Sequence, residues 1–572
     1  MVEVVGGQAP KPLFTIVFSV QYETAPSDVA KNTLRHLTRA RRRVHSCGMA
    51  RAVALALCCA AAAAFVAPAP RLRVRTRASA WEKSCWSGDP YPQRAPPAPA
   101  PPPPPQPTTT YLQCARFAAP ALAIYVAGPL MSLIDAALVG RRGSSAALAA
   151  LGPAGTISDS ATTLLVFLSV ATTNFVARSG CDDAGAGDLD AAARAATTGL
   201  ALAACFGVAV GGLLVVKSLP LSLWYAGGSG DLAPLAARYV AVRAYALPAA
   251  LVASVAQAAC LGARDSVTPA VSVAVGAALN LAGDVLLVPS RGLVGAAEAT
   301  AASQYAAAAL LVRKLWTRGF LCRACFDKRR RLPRLRDCAP FFGFGPFVWC
   351  CVVKLFLHNS AAKTAASMGG AAAAAHTVIF SVAMFCFVLG DVGTSLALAF
   401  LPRFAGDGGD AEGRLAFDVA AARPSVANIL RVCWTISGVC VAASSAVVLR
   451  GARAFTTDGA VVTAVAACLP LTAGTLALHA SAVTLEGVLL VRRDLGFLCG
   501  FYAFLAACVA ALHGAVARRN LGLRALWGVY VYFQGVRALA CAWRAGLLTP
   551  RAFLAARRPA RARPPTPALA AR

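Results

Sequence analysis

Asp135 is the only charged side chain between Arg116 and Arg141, inside the apolar run CARFAAPALAIYVAGPLMSLIDAALVG at 114–140. A run of that length crosses the ~30 Å hydrocarbon layer of a bilayer at ~1.5 Å per helical residue. An ionised carboxylate facing lipid there costs roughly 2.5 kcal/mol at the least. Three chemistries fit such a residue: carrying a proton, holding a cation or meeting a substrate. A helix-end acid that reaches interfacial water is the structural alternative. Asn280 and Asp284, in GAALNLAGDVLLVPS, are four apart and share one face of a helix. Asp135 lies 19 residues beyond Arg116, and Asp284 lies 19 beyond Asp265, so the two acids are expected at similar depth. Thr300 falls roughly 12 Å down the next helix, into the same layer. Two carboxylates in a low-dielectric pocket disfavour double ionisation, so the pair shares a proton or is neutralised by a cation. Oxygen ligands from Asp, Asn and Thr would serve sodium. The competing reading has Asn280 and Asp284 capping their helix and pairing with Arg291.

The elements that must position these residues are membrane helices. The 572-residue chain is 58% hydrophobic and 14% charged, with a mean hydropathy of +0.61, where soluble domains are nearer ~25% charged. Long repeated apolar segments favour helices over a barrel. The formal charge of +30 could point to nucleic acid, but the basic residues concentrate in tails and loops. Positive loops held on one face of the membrane explain them better. The 20 cysteines are scattered, and Cys322, Cys325 and Cys338 lack a clear fourth ligand, so no zinc site is expected.

Twelve spans are predicted: 114–140, 148–177, 191–216, 236–261, 267–289, 292–316, 340–362, 370–401, 424–449, 460–484, 495–517 and 523–546. The loop RGFLCRACFDKRRRLPRLRD after the sixth is the most basic and is expected on the inside, with both termini. The halves resemble each other. LAAL at 148–151 answers AAAH at 373–376, an offset of 225, and AQAACLGARD ending at Asp265 answers LEGVLLVRRD ending at Asp494, an offset of 229. Six helices separate the partners, so the repeats run parallel about the membrane normal. The expected fold is an all-α polytopic membrane protein with two pseudo-symmetric six-helix lobes, at 112–316 and 340–546. A basic loop at 317–339 joins the lobes, and a basic tail follows at 547–572.

The N-terminus is composite. Residues 1–48 read as an upstream extension, with Met49 the expected initiator of MARAVALALCCAAAAAFVAPAP. That segment has the basic start and short apolar core of a signal peptide. Its Phe65 step and the acid-free Arg71, Arg73, Arg75 and Arg77 resemble the bipartite plastid-targeting leaders of algae with complex plastids. An ordinary secretory signal is the alternative. A stiff Pro-rich linker at 92–107 ends this 49–111 leader region.

GPLMSLIDAALVG, LAALGPAGTISDSATTLLVFLSVATTNFVARS, ALPAALVASVAQAACLGARDSVTP, GAAEAT and LEGVLLVRRDL together resemble the multidrug and toxic compound extrusion (MATE) family, in particular its DinF-like plastid branch. The likeness covers roughly 112–546, in order. It implies twelve helices around a V-shaped cavity, and export driven by protons or sodium. It also implies that Asp135 is a coupling aspartate, with Asn280, Asp284 and Thr300 at matching positions. The chain departs from the family pattern at His376-Thr377 and at the end of the eighth span, so substrate does not carry over. Glu298 fills a variable slot of the GAAEAT motif, either as a cavity acid or as a helix-end acid facing water.

Asp159, Lys354, His376, Asp391, His479 and Glu486 are further polar residues in or near spans. Lys354 could meet an anionic substrate, pair with an acid or snorkel. His376 reads as a hydrogen-bonded structural histidine or as a cavity group. The leading function is a cation-coupled antiporter for a small organic solute, embedded as a monomer in a plastid membrane, with no cofactor beyond the coupling ion. A lipid-linked flippase is the alternative. No nucleophile, metal or phosphate motif supports an enzyme.

Overall fold

The computed structural model describes residues 108–142, 145–180, 187–225, 232–321, 335–410, 413–455 and 458–548, within one compact unit of residues 68–572. The expected upstream extension, the leader and linker to residue 107, the loop segment 322–334 with Cys322 and Cys325, and the tail from 549 lie outside these residues. Among the described residues no cluster of metal-ligating side chains occurs.

The first lobe comprises α1 (Tyr111–Arg142), α2 (Ser145–Leu164), α3 (Val166–Arg178), α4 (Leu189–Tyr225), α5 (Leu232–Gly262), α6 (Val267–Arg291) and α7 (Leu293–Thr317). The second comprises α8 (Leu335–Phe342), α9 (Phe347–Ser367), α10 (Gly370–Gly390), α11 (Val392–Phe400), α12 (Val419–Phe455), α13 (Gly459–Val491), α14 (Leu495–Arg518) and α15 (Gly522–Arg544). Three predicted spans are each interrupted once, at Leu165, at 343–346 and at Asp391, so fifteen helices make twelve passes. Ten candidate spans are long and apolar enough to cross a membrane. The other two, α7 and α15, fall short of that apolarity, with Glu298 and Gln304 inside one and Gln534 and Arg537 inside the other. Helix is the form that satisfies every backbone polar group in hydrocarbon without a partner chain. Small residues then let helices approach closely. A Cβ on Gly207 of α4 would sit 2.4 Å from the Cα of Pro248 in α5, and one on Gly211 would sit 2.6 Å from the Ala244 carbonyl oxygen.

The duplication is visible in the backbone. The helix ends Arg142 and Ser367, and the helix starts Ser145 and Gly370, are both 225 apart. Arg264 (φ 63°) and Arg493 (φ 56°), 229 apart, each take the left-handed conformation just past a helix end. The following amides close the same turn, Asp265 N donating to Cys260 O (2.9 Å) and Asp494 N to Leu489 O (3.0 Å). Each aspartate then pairs with an arginine from the last pass of its lobe, Arg318 with Asp265 and Arg544 with Asp494, both at 2.6 Å.

The lobes are tied together at the end where α1 begins and α3, α5, α11 and α13 finish. Arg264 of the first lobe lies over the Phe400 ring of the second (5.4 Å), and Arg493 of the second lies over Phe175 of the first (4.7 Å). Because Phe175 and Phe400 are themselves 225 apart, the two contacts are reciprocal. Arg178 Nη2 also donates to Gly406 O (3.1 Å), within a short antiparallel hairpin of β1 (Ala405–Gly409) and β2 (Leu415–Phe417) that the spans did not anticipate. Asn428 Nδ2 donates to Thr109 O (2.9 Å). The double substitution Arg264→Ala/Arg493→Ala is expected to weaken this seal by roughly 2 kcal/mol. Spin labels on the two lobes at this end would then show a broader distance distribution than wild type. An unchanged distribution would contradict the assignment.

Candidate functional site

Asp135 comes from α1, and Asn280 and Asp284 come from one face of α6. Asn280 Nδ2 uses both amide protons, donating to Asp135 Oδ1 and to Asp284 Oδ2, each at 2.9 Å. The three residues are buried, Asp284 completely. The amide therefore bridges two carboxylates that would otherwise repel. Two acceptors, Asn280 Oδ1 and Asp284 Oδ1, are buried with no hydrogen-bond partner. Buried polar atoms are normally satisfied, so an orphaned pair of oxygens needs a reason. All of the orphaned atoms are oxygen acceptors, and that donor set suits a proton or a hard cation.

Sequence placed Thr300 in this layer. The structure puts it on the adjoining α7, half-buried, with its hydroxyl donating to Ala296 O of its own helix (2.9 Å). Beside it, a Cβ on Gly283 would lie 2.7 Å from Ala299 Cβ and 3.1 Å from Ala299 Cα, so glycine there sets the α6–α7 approach next to Asp284. Gly283→Ala is expected to force the helices apart at a cost of roughly 1–3 kcal/mol. It should lower the Tm of the detergent-solubilised protein by several degrees, and a wild-type Tm would show that the helices separate freely. Arg291, the competing partner for Asp284, instead holds Glu298, with Nη1 2.8 Å from both carboxylate oxygens. Glu298 thus sits in an exposed helix-end pair. Arg243, in the middle of α5, reaches Asp159 (3.4 Å) and lines a small open recess with Ser158, Thr162 and Gln304.

The duplication locates the equivalent site in the second lobe. Adding 225 to Asp135 gives Ser360 on α9, and adding 229 to Asp284 gives His513 on α14. These two side chains meet at 2.8 Å, Ser360 Oγ to His513 Nδ1. The second lobe thus keeps the cross-helix contact but has no carboxylate in it. A repeat comparison carried through position by position would have found the pair.

The charged residues of the second lobe form a separate network. Lys354 Nζ donates to Glu486 Oε1 (3.0 Å), Tyr502 donates to Oε2 (2.6 Å), and Arg537 also binds Oε2. Glu486 and Arg537 are almost wholly buried. Sequence reading flagged Lys354 and Glu486 without pairing them and passed over Arg537 and Tyr502. The available signal was an arginine in the middle of the last apolar run, VYFQGVRALACAW. His376 is buried and packed among rings, stacked on Phe380 and tilted against Trp527, both with centroids at 5.8 Å. Its Nδ1 has no hydrogen-bond partner.

Residues 120–286 match the MatE family model. The chain is 28% identical over 432 residues to Protein DETOXIFICATION 47, chloroplastic, of Arabidopsis thaliana, a match covering 74% of this chain and 75% of the relative. It is 32% identical over 192 residues to DNA damage-inducible protein F of Escherichia coli, covering 33% of this chain and 41% of that protein. A mutant of the Vibrio cholerae MATE transporter VcmN superposes with a TM-score of 0.66 at 16% identity, covering 78% of this chain and 98% of that one. A MOP superfamily transporter from Pyrococcus furiosus superposes at 0.62 with 18% identity, covering 76% and 95%. At those identities the structural likeness establishes the fold. The chain thus matches the MatE model over residues 120–286, is similar to chloroplastic DETOXIFICATION relatives over about three quarters of its length, and has the fold of the multi-pass MATE transporters.

Proposed function

We propose that this chain is a secondary active antiporter that exports a small organic solute from a plastid compartment in exchange for protons or sodium, by alternating access of its two lobes. The buried Asp135–Asn280–Asp284 cluster carries this reading. It joins two carboxylates to two orphaned oxygen acceptors, in a layer too costly to keep without use. Asp135 lies roughly 10 Å from the α1 end remote from the inter-lobe seal. In this conformation the cluster would exchange its ion with that side. Ion and solute must favour different arrangements of the lobes for one to drive the other. Chloroplastic relatives support a plastid membrane. The test is solute flux in proteoliposomes under imposed pH or sodium gradients. One gradient should drive flux and the other should not, and solute flux indifferent to both would refute coupling.

A further inference from the structure

Beside the buried network of the second lobe, Lys354 and Asp391 are incompletely neutralised. Glu486 is one carboxylate shared by two cations, Lys354 and Arg537. Arg537 is 1% exposed, whereas the Lys354 side chain is 28% exposed and makes one hydrogen bond through an ammonium that has three donors. The surplus positive charge therefore surfaces at Lys354.

The unmatched negative charge is Asp391, at the α10–α11 interruption, with its side chain 48% exposed. His479 Nε2 is 3.7 Å from it, beyond hydrogen-bond distance, and lies closer to Phe387 O at 3.0 Å. Gln534 Oε1 accepts from Arg537 Nη1 (2.6 Å), which leaves the Gln534 amide NH₂ to donate to His479 Nδ1 (3.0 Å). His479 Nδ1 then accepts from Gln534, and Nε2 donates to Phe387 O (3.0 Å). Among the described residues no lysine or arginine pairs with Asp391, and His479 at 3.7 Å makes no hydrogen bond to it.

Both charges are on helices at the boundary between the lobes. Asp391 is one turn before Ser395, whose hydroxyl meets Tyr125 of α1 at 2.6 Å. Lys354 is on α9, which packs against α2 and α3 of the first lobe; it is one turn before His358, whose ring lies 6.2 Å from that of Phe387, itself one turn before Asp391, so the two charges lie at one level of neighbouring helices. An organic cation brought here would leave Lys354 opposed and Asp391 alone as its partner, and an organic anion would do the reverse. Like-charge juxtaposition disfavours the wrong partner. A solute with both charges satisfies both residues.

We infer that Lys354 and Asp391 form a recognition site for a small zwitterionic solute, its anionic group on Lys354 and its ammonium on Asp391. This rests on the antiport reading, whose own carboxylates in the first lobe remain for the coupling ion. The test uses the full chain in proteoliposomes under the driving gradient, given a defined mixture of amino acids and betaines, quaternary amines, and monocarboxylates of matched size. Solutes moved are identified by mass spectrometry. Wild type should move zwitterions. Lys354→Met should lower their flux about tenfold and turn preference towards quaternary amines, and Asp391→Asn should turn it towards monocarboxylates. Lys354→Arg and Asp391→Glu should keep the wild-type class, which separates charge recognition from misfolding. Wild-type preference for cations or anions, or an unaltered class in both neutral variants, overturns the inference. Absence of gradient-driven flux for every solute overturns the antiport reading beneath it.

Discussion

Asp135→Asn is expected to reduce gradient-driven solute flux by on the order of a hundredfold, the upper range of a coupling free energy between two sites. The substitution keeps size and hydrogen-bonding capacity while removing the charge. Asn280 Nδ2, which donates to Asp135 Oδ1 at 2.9 Å, can still donate to the amide oxygen at position 135, so the α1–α6 contact survives. What is lost is one of the two carboxylates proposed to hold the coupling ion. Two flux measurements on one preparation distinguish coupling from collapse. Solute counterflow without an ion gradient should persist in the variant, because the lobes still interconvert, while uptake against a solute gradient should fail. Loss of both would indicate a folding defect, and retention of both would remove Asp135 from the mechanism. Asp284→Asn is expected to behave similarly, since it deletes the other carboxylate and leaves the Asn280 bridge.

Arg537→Leu should be the most destabilising single change in the second lobe, at roughly 3–5 kcal/mol, because it removes one partner from a buried carboxylate. Glu486 would keep Lys354 and Tyr502, but its Oε2 would lose a charged donor in a site from which water is excluded. Gln534 would lose the donor to its Oε1, so the disturbance would pass to His479. The measurement is the Tm of the solubilised protein. The double variant Glu486→Leu/Arg537→Leu should recover a large part of the loss, because an apolar pair leaves only Lys354, which is part-exposed and can turn towards water. A double variant no better than the single would show that the packing of Arg537 over the Tyr502 and Phe533 rings, not its charge, is the stabilising part.

Most of the fold was legible because the bilayer imposes a simple rule. A segment apolar enough to leave water must be helical and about as long as the hydrocarbon is thick. The helices nevertheless overrun their apolar cores, as α4 does to Tyr225 and α12 to Phe455, since backbone hydrogen bonds continue past the hydrocarbon boundary. The hairpin at 405–417 was not legible. Its first strand, AGDGG, has no side-chain alternation, and it is held by ties such as Arg178 to Gly406 that join positions 228 residues apart.

The candidate site divides along the same line. Asp135, Asn280 and Asp284 could be read as residues of apolar helices, the last two on one face, and the duplication could be read from repeated offsets. Those conclusions follow from local periodicity and the cost of a charge in lipid, and neither depends on which helices touch. Tertiary structure decided that one amide bridges both acids, that the Thr300 hydroxyl turns onto its own helix, and that Arg291 serves Glu298 instead of Asp284. It also decided the pairing of Lys354 with Glu486 and Arg537, and the meeting of Ser360 with His513. Hydrogen bonds and ion pairs act over about 3 Å. Residues more than a hundred positions apart come that close only through the packing of helices around one another.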